Sequence, residues 1–143
     1  MALAAAQVID ALATRLAAVV ATGGRAYTSR AWPLHEDGLP AWRVVAADEL
    51  VERVSVDGVH LHTLSAEATA YARATADLDD TLHALASAGL QAVFAAVPPF
   101  DARLAGIDRR VETLGEAAVG AITLRIDTTY YTNPATPETI ISS

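Results

Sequence analysis

The chain contains no cysteine and no lysine, and these two absences exclude several kinds of chemistry. Without cysteine there is no disulfide framework, no thiolate zinc site and no cysteine nucleophile. Because all 10 basic residues are arginine, a lysine nucleophile, a Schiff base and a P-loop lysine are also impossible. We attribute the bias toward alanine and arginine to the base composition of the source genome.

Positive charge is scarce, which narrows the classes of partner. The 143 residues carry a net charge of −7 and have a pI of about 4.9. A general nucleic-acid binder or a protein that docks on an anionic membrane needs a basic face, so both classes are disfavoured. The sequence also has no run of the ~18 apolar residues that a membrane span requires. We expect one domain with a real core and no contact with a membrane.

The N-terminus does not resemble a secretory signal. It lacks a basic leading segment, and Asp10 interrupts its apolar run. We therefore expect the chain to stay in the cytosol in which it is made.

Hydrophobic periodicity predicts both helices and strands. The helices span 3–21 and 75–97, and each has one apolar face. The strands are 25–32, 41–48, 50–56, 59–73, 107–114 and 119–132. Asp57-Gly58 is a strong hairpin signal, and Gly89 indicates a kink or a division of the second helix.

The order of these elements predicts the fold class. Two helices against one mostly antiparallel sheet form an α+β, two-layer sandwich, and their single apolar faces place both helices on one face of the sheet. The other face is then solvated or covered by a partner. Residues 1–132 form the single domain, and residues 133–143 form an extended C-terminal tail.

Two groups of residues could in principle hold a metal. His60 and His62 share one face of a predicted strand, about 6–7 Å apart, but a third ligand is needed and the spacing marks none. We interpret them as solvent-facing strand histidines. Asp77, Asp79 and Asp80 are interpreted as helix N-terminal charge, because the glycine and the distal glutamate of an EF-hand loop are missing.

Acidic residues cluster at Asp48, Glu49 and Glu52, at a predicted turn between the second and third strands. Paired carboxylates perform acid–base chemistry when burial separates their pKa values, whereas a hairpin tip is exposed. Carboxylates at such a tip are solvated, and their functional interpretation is an acidic protrusion that meets a basic partner or lines a pore. No nucleophile, dinucleotide or P-loop motif frames any residue, so we predict no enzyme, no catalytic residue, no cofactor and no metal.

Two apolar features each have two interpretations. Trp32 and Trp42 flank the proline-bounded loop 33–40; they close the core at the end of the sheet, or they anchor a subunit interface, where tryptophan is enriched. Ile140 and Ile141 lie beyond two prolines in the tail. They belong to a disordered end, or they dock on a neighbouring subunit by strand addition.

The order of segments along the chain resembles a known family of phage proteins. R-x-Y-x-x-R-A-W-P at 25–33 precedes L-P-A-W-R-V-V at 39–45 and the acidic E-L-V-E-R-V at 49–54. The second helix opens with A-D-L-D-D-T-L-H-A-L, and G-I-D-R-R-V-E and G-A-I-T-L-R-I-D-T-T-Y follow it. The pattern, from about Leu3 to Ile141, is similar to the tail terminator proteins of long non-contractile-tailed phages, the minor tail U-like family.

The resemblance implies a structural virion protein without a cofactor. Members of this family have a small α/β fold and assemble as a hexameric ring at the head-proximal end of the tail. The ring stops the addition of tail tube subunits and presents a surface to head-completion or neck proteins. DNA passes through its lumen without specific binding, which suits a negatively charged chain. Assembly takes place in the cytoplasm of the bacterial host.

A ring built from head-to-tail contacts needs two different complementary patches on each subunit. The candidates are an acidic patch and a basic patch: Asp48, Glu49 and Glu52, and Arg25, Arg30, Arg109 and Arg110. The loop 33–40 and the acidic turn should project from opposite ends of the subunit. Charge reversal of Glu49 and Glu52 is expected to disrupt ring assembly.

Other functions stay open on the residues alone. A neck or head–tail connector subunit also forms rings, and a tail tube subunit polymerises without a fixed end. A small α+β enzyme would use His60, His62 and nearby carboxylates. A soluble interaction module of a bacterial host is the least specific alternative. The mass of the native assembly separates ring, tube and monomer, and metal analysis separates the enzyme.

Overall fold

The computed structural model describes residues 3–19, 22–23, 25–28, 40–73, 76–95, 101–114 and 117–141. Its elements are α1 (Ala4–Leu16), β1 (Ala26–Tyr27), β2 (Ala41–Arg53), β3 (His60–Arg73), α2 (Leu78–Val93), β4 (Asp101–Leu114), β5 (Ala117–Asn133) and β6 (Thr136–Ile141). The predicted α+β class is confirmed, because all 6 strands form one sheet and both helices pack against it. Arg30, Trp32 and the predicted loop at 33–39 lie outside the described residues.

The helix α1 forms because its apolar residues recur at three- and four-residue steps. Val8, Leu12 and Leu16 of this stripe are fully buried. The helix ends at Leu16, before the predicted stop at the paired glycines. Neither helix in the described part of the chain has the length and apolar character needed to cross a membrane.

The helix α2 is shorter than predicted and begins at Leu78. Asp79 and Asp80 occupy its first turn, where carboxylates meet the positive end of the helix dipole. The interpretation of this acidic group as helix N-terminal charge is therefore confirmed. Leu82 and Leu85 supply the buried stripe.

The sheet is mixed, with strand order β1-β2-β3-β5-β4 and β6 as a further partner of β5. β1 is parallel to β2, and the other pairs are antiparallel. β3 and β5 are the central strands and pair without a register shift. β4 and β6 lie end to end along β5, since Asp101 pairs with Thr129 and Ile141 pairs with Tyr131.

The core lies between the helices and one face of the sheet, here called the helix face. Trp42 of β2, Ala70 of β3 and Ile122 of β5 are opposite one another on this face and are fully buried. Small residues let the helices approach closely. A Cβ atom on Gly89 of α2 would lie 2.6 Å from the Trp42 ring, and one on Gly120 would lie 2.6 Å from a Leu78 methyl carbon.

The opposite face of the sheet, here called the open face, carries no helix in the described part of the chain. Ala41, Tyr71, Val119 and Ala121 form a small buried cluster at one end of it. Elsewhere this face is polar. Cross-strand ion pairs join Arg103 to Asp127 at 3.4 Å and Arg125 to Asp108 at 3.6 Å, and the Thr69 and Thr123 hydroxyls lie 2.9 Å apart.

One long strand, β2, replaces the two strands predicted at 41–48 and 50–56. The register with β3 shifts between Ala46 and Asp48, so a β-bulge lies where the acidic turn was predicted. The turn prediction was wrong because acidic residues also favour turns, whereas here the bulge absorbs one extra residue and pairing continues to Arg53. The acidic residues therefore lie along a strand and do not form a protruding tip.

The hairpin predicted at Asp57-Gly58 is confirmed. Gly58 has φ +87°, a conformation that glycine adopts without strain, and its N–H donates to the Ser55 carbonyl at 3.1 Å. The turn therefore joins β2 to β3, and the long strand predicted after it is β3.

The turn predicted around 101–106 was wrong, because these residues belong to β4. The register with β5 shifts between Leu104 and Gly106, so the glycine marks a bulge inside the strand. The predicted pairing of 107–114 with 119–132 is confirmed, and both strands are longer than expected. Gly115, the predicted turn residue, lies outside the described residues.

The C-terminal tail forms the strand β6 and pairs with β5 of the same chain. Ile140 lies opposite Thr132 and packs against the main core. Both interpretations of Ile140 and Ile141, a disordered end and an arm on a neighbour, are corrected, because the segment adds a strand to its own sheet. The tail at 133–143 is therefore continuous with the sheet through Ile141.

Candidate functional site

The pair His60 and His62 lies at the start of β3, beside the hairpin that leads out of β2. Both side chains are partly buried on the helix face, opposite Thr132 and Tyr130 of β5. The ring centroids are 6.2 Å apart in an edge-to-face arrangement. The interpretation as solvent-facing histidines is therefore corrected for His62, whose ring is enclosed by its neighbours.

Both ring nitrogens of His62 have hydrogen-bond partners. Nδ1 lies 2.7 Å from Glu49 Oε1, and Nε2 lies 2.7 Å from Thr132 Oγ1. An ionised carboxylate only accepts, so Nδ1 donates to Glu49, and in the neutral ring Nε2 accepts from the threonine hydroxyl. The ring also stacks on Tyr130, with centroids 4.7 Å apart and an interplanar angle of 8°.

The Tyr130 hydroxyl completes this group, here called the polar cluster (Glu49, His62, Tyr130 and Thr132). It donates to Glu49 Oε1 at 2.5 Å. Burial, the hydrogen bond to Glu49 and the negative charge of that carboxylate together raise the pKa of Tyr130 well above its usual value. The phenol therefore stays protonated and available as a donor far into the alkaline range.

The polar cluster has the connectivity of a hydroxyl, an imidazole and a carboxylate in series. In hydrolytic enzymes this series activates the hydroxyl as a nucleophile. Here the hydroxyl belongs to Thr132, which is only 2% exposed, so it has no open path to a substrate. The evident role of the cluster is to tie β2, β3 and β5 together beside the hairpin. Function as an enzyme stays an alternative.

The two histidines are also candidate metal ligands. Among the described residues there is no group of three or more His, Cys, Asp or Glu side chains placed to hold a metal ion. The described part of the chain therefore offers His60 and His62 no third ligand.

The acidic patch does not form a single surface. Glu49 lies opposite Leu64, a core residue of β3, and so faces the helix side of the sheet. Asp48 and Glu52 lie opposite Ser65 and Leu61, on the open face. Strand alternation after the bulge separates the three carboxylates, and the patch is corrected accordingly.

The basic patch is divided as well. Arg25 follows α1 and its Nε donates to the Pro40 carbonyl at 3.0 Å, beside β2 and at the edge opposite β4. Arg109 and Arg110 are neighbours on β4, so their side chains leave opposite faces of the sheet. Arg109 donates to His83 of α2 at 3.1 Å, and Arg110 lines a shallow cleft on the open face.

The side chain of Trp42 is fully buried in the main core. It packs beneath α2 against Gly89 and has no surface to offer a partner. The interpretation of Trp42 as an interface anchor is therefore corrected in favour of the core alternative. Trp32, the other candidate anchor, lies outside the described residues.

Several residues that sequence reasoning missed lie at this end of the sheet. Tyr130 and Thr132 complete the polar cluster, and the alternation in T-T-Y-Y-T was the only signal that they share a face. Apolar side chains are also exposed along two strands, at Leu50 and Val51 of β2 and at Val111 of β4. Their exposure depends on which strands lie at the edges, which the periodicity does not indicate.

Comparison with protein-family models and with curated proteins finds no match for this chain. Function is therefore inferred from two features of the described residues, the polar cluster and the exposed strand edges, and from the resemblance of the sequence segments.

Proposed function

We propose that the protein is a structural virion protein, a ring-forming tail terminator that caps the tail tube and offers a docking surface to head or neck proteins. The resemblance of the ordered segments from R-x-Y-x-x-R-A-W-P to G-A-I-T-L-R-I-D-T-T-Y motivates the proposal. The observation that supports it most is the exposure of apolar side chains along both edges of the sheet.

Exposed apolar side chains on a small chain favour association with other proteins. Leu50 and Val51 lie in β2, next to one edge of the sheet, and Ile107 and Val111 lie in β4, at the other edge. Two different edges on one subunit suit a head-to-tail contact, which closes into a ring when the rotation between subunits permits. The net charge of −7 suits a lumen through which DNA slides without binding.

The proposal is tested by the native mass of the purified chain at several concentrations, with negative-stain imaging. We expect a closed ring of about six subunits, because a head-to-tail contact that closes gives one discrete mass. A monomer at every protein concentration measured would contradict the proposal. Long tubes of varied length would favour the tube subunit, since such a subunit polymerises without a fixed end.

A further inference from the structure

Two strands of the sheet each have a side that pairs with no other strand in the described part of the chain. On β2, the parallel partner β1 covers Trp42 and Arg43, and no described strand pairs with the outer side of Asp48–Arg53. On β4, no described strand pairs with the outer side of Asp101–Leu114. Backbone N–H and C=O groups on such edges are a template for pairing with another chain.

The side chains on these edges are unusually apolar for surface strands. Leu50 and Val51 are 74% and 52% exposed, and Ile107 and Val111 are 36% and 68% exposed. Covering them removes apolar surface from water and stabilises an assembled state. Both edges are therefore stabilised by a partner strand that covers their apolar side chains.

Charge distinguishes the possible pairings of these edges. Two β2 edges paired about Val51 would match Glu49 with Arg53 but leave Asp48 without an arginine opposite it, and two β4 edges paired about Arg109 would bring two arginines together. Like charges directly opposite one another are destabilising, and opposite charges are stabilising. The edge of β2 against the edge of β4 is the combination that places both Asp48 and Glu49 against arginines.

The directions of the strands allow this combination to repeat. β2 is antiparallel to β3, β3 to β5, and β5 to β4, so β2 and β4 run in opposite directions. A second copy rotated about an axis along the strands would bring its β2 antiparallel to β4 of the first. The contact is heterologous, so each added copy again exposes one β2 edge and one β4 edge until a ring closes.

We propose that Asp48–Val51 of one copy pairs with Ile107–Arg110 of a second copy and extends the sheet across the subunit boundary. This inference rests on the proposed ring function and names the contact that builds the ring. The partner is a second copy of this chain, because the two edges complement each other in charge, apolar character and direction.

The faces of the sheet select a register for this pairing. On β2, Glu49 and Val51 lie on the helix face, as shown by their pairing with Leu64 and His62 of β3. On β4, Ile107 and Arg109 lie on the same face, since they pair with the buried residues Leu124 and Ile122. The best antiparallel register has three matched pairs: Asp48 with Arg110, Glu49 with Arg109, and Val51 with Ile107.

Neighbouring registers are poorer. A slip by two residues would place Glu52 against Asp108, two negative charges on the open face, and a slip by four would place Arg109 against Arg53, two positive charges on the helix face. In the preferred register Leu50 falls opposite Asp108, whose carboxylate is directed toward Arg125 of its own chain at 3.6 Å. The two ionic pairs and the apolar pair outweigh this one mismatch.

The polar cluster prepares Glu49 for this contact. His62 and Tyr130 both bond to Oε1, which leaves Oε2 without a hydrogen-bond partner among the described residues. The side chain is 29% exposed, so this second oxygen can reach a neighbour. A carboxylate already held in place loses little conformational freedom when Arg109 of a second copy binds it.

Because the chain has no cysteine, introduced cysteines report this contact directly. The test is the double variant Val51→Cys/Ile107→Cys, oxidised and run on a non-reducing denaturing gel. We expect a ladder of disulfide-linked species that ends at the size of the native ring and disappears on reduction. Both positions are exposed, so circular dichroism should show an unchanged fold.

The single variants are the matched controls. Val51→Cys alone and Ile107→Cys alone should stay monomeric on the gel, and a mixture of the two should give one dimer band. A dimer from either single variant would overturn the proposal in favour of a symmetric pairing. Linkage of Val51→Cys to Val111→Cys in place of Ile107→Cys would overturn the register.

The proposed contact and the proposed function fail in different ways. A native ring whose double variant gives no ladder would overturn the β2–β4 contact and leave the ring intact. A monomer in the native mass measurement together with no ladder would overturn both.

Discussion

Replacing Trp42 with alanine should lower the free energy of unfolding by about 3–5 kcal/mol, the range for large-to-small changes in a packed core. The indole is fully buried in β2, and its ring fills the space that a side chain on Gly89 would occupy. Removing it leaves a cavity bordered by Leu16 of α1 and by α2, because both elements meet at this ring. Urea unfolding followed by circular dichroism measures the loss.

Trp42→Phe is the matched control for this substitution. The indole Nε1–H has no hydrogen-bond partner among the described residues, so phenylalanine forfeits apolar contact without breaking a described bond. We expect a clearly smaller loss than for alanine, with the same dependence on urea concentration. Equal losses in the two variants, or a loss below ~1 kcal/mol for alanine, would show that Trp42 does not support the core as described.

Gly89 illustrates how packing decided a point that local pattern left ambiguous. In the sequence a glycine inside a helix indicates a kink or a break, because it weakens the helix by about 1 kcal/mol relative to alanine. In the structure α2 runs through Gly89 without interruption. A glycine stands at this position because the Trp42 ring, from a distant part of the chain, lies where a side chain would be.

Local signals predicted much of the fold. The apolar stripes of both helices, the glycine turn at Asp57-Gly58 and the long strand after it depend on residues close together in the sequence. The errors involve strand pairing between distant segments. The bulge after Ala46 carries residues that also suit a turn, and β6 is stabilised by β5 and by core contacts of Ile140.

The candidate site could be predicted only in part for the same reason. His60 and His62 were identified by their spacing, and Glu49 by its acidic neighbours. Their relation to Tyr130 and Thr132 depends on the register of β3 with β5, which brings together residues 70 positions apart in the case of His62 and Thr132. Single-strand periodicity assigns a face to each side chain but does not identify its cross-strand neighbour.

Because of the composition, the ionisation of Tyr130 can be measured from the pH dependence of the free energy of unfolding. The chain has neither lysine nor cysteine, so tyrosine is the side chain that titrates between about pH 9 and 12. Tyr130 has its pKa raised in the folded state, first by burial and then by Glu49. Above about pH 10 the unfolded chain therefore releases a proton that the folded chain retains.

The sign of the effect follows from this difference in bound protons. Where the folded state binds more protons than the unfolded state, the free energy of unfolding falls as pH rises. Tyr130 alone should therefore lower stability by up to about 1.4 kcal/mol for each pH unit above ~10. Below that pH both states hold the proton, and its contribution is fully present and constant.

Tyr130→Phe should make this alkaline loss of stability shallower by the same amount per pH unit. At neutral pH the variant should be less stable by about 1.5–3 kcal/mol, the range for a lost hydrogen bond to a charged group. The difference from the wild type should then shrink as pH rises above 10, because only the wild type loses the Tyr130 contribution. Urea unfolding at closely spaced pH values measures both quantities.

Tyr131→Phe is the control for this experiment, because it removes the adjacent hydroxyl and leaves the bond between Tyr130 and Glu49 in place. We expect it to lose stability in alkali as steeply as the wild type. If Tyr130→Phe and the wild type instead fall in parallel above pH 10, the phenol is not held protonated by its surroundings. The polar cluster would then not fix Glu49 at the edge of β2, and the carboxylate would have to be ordered by its partner on binding.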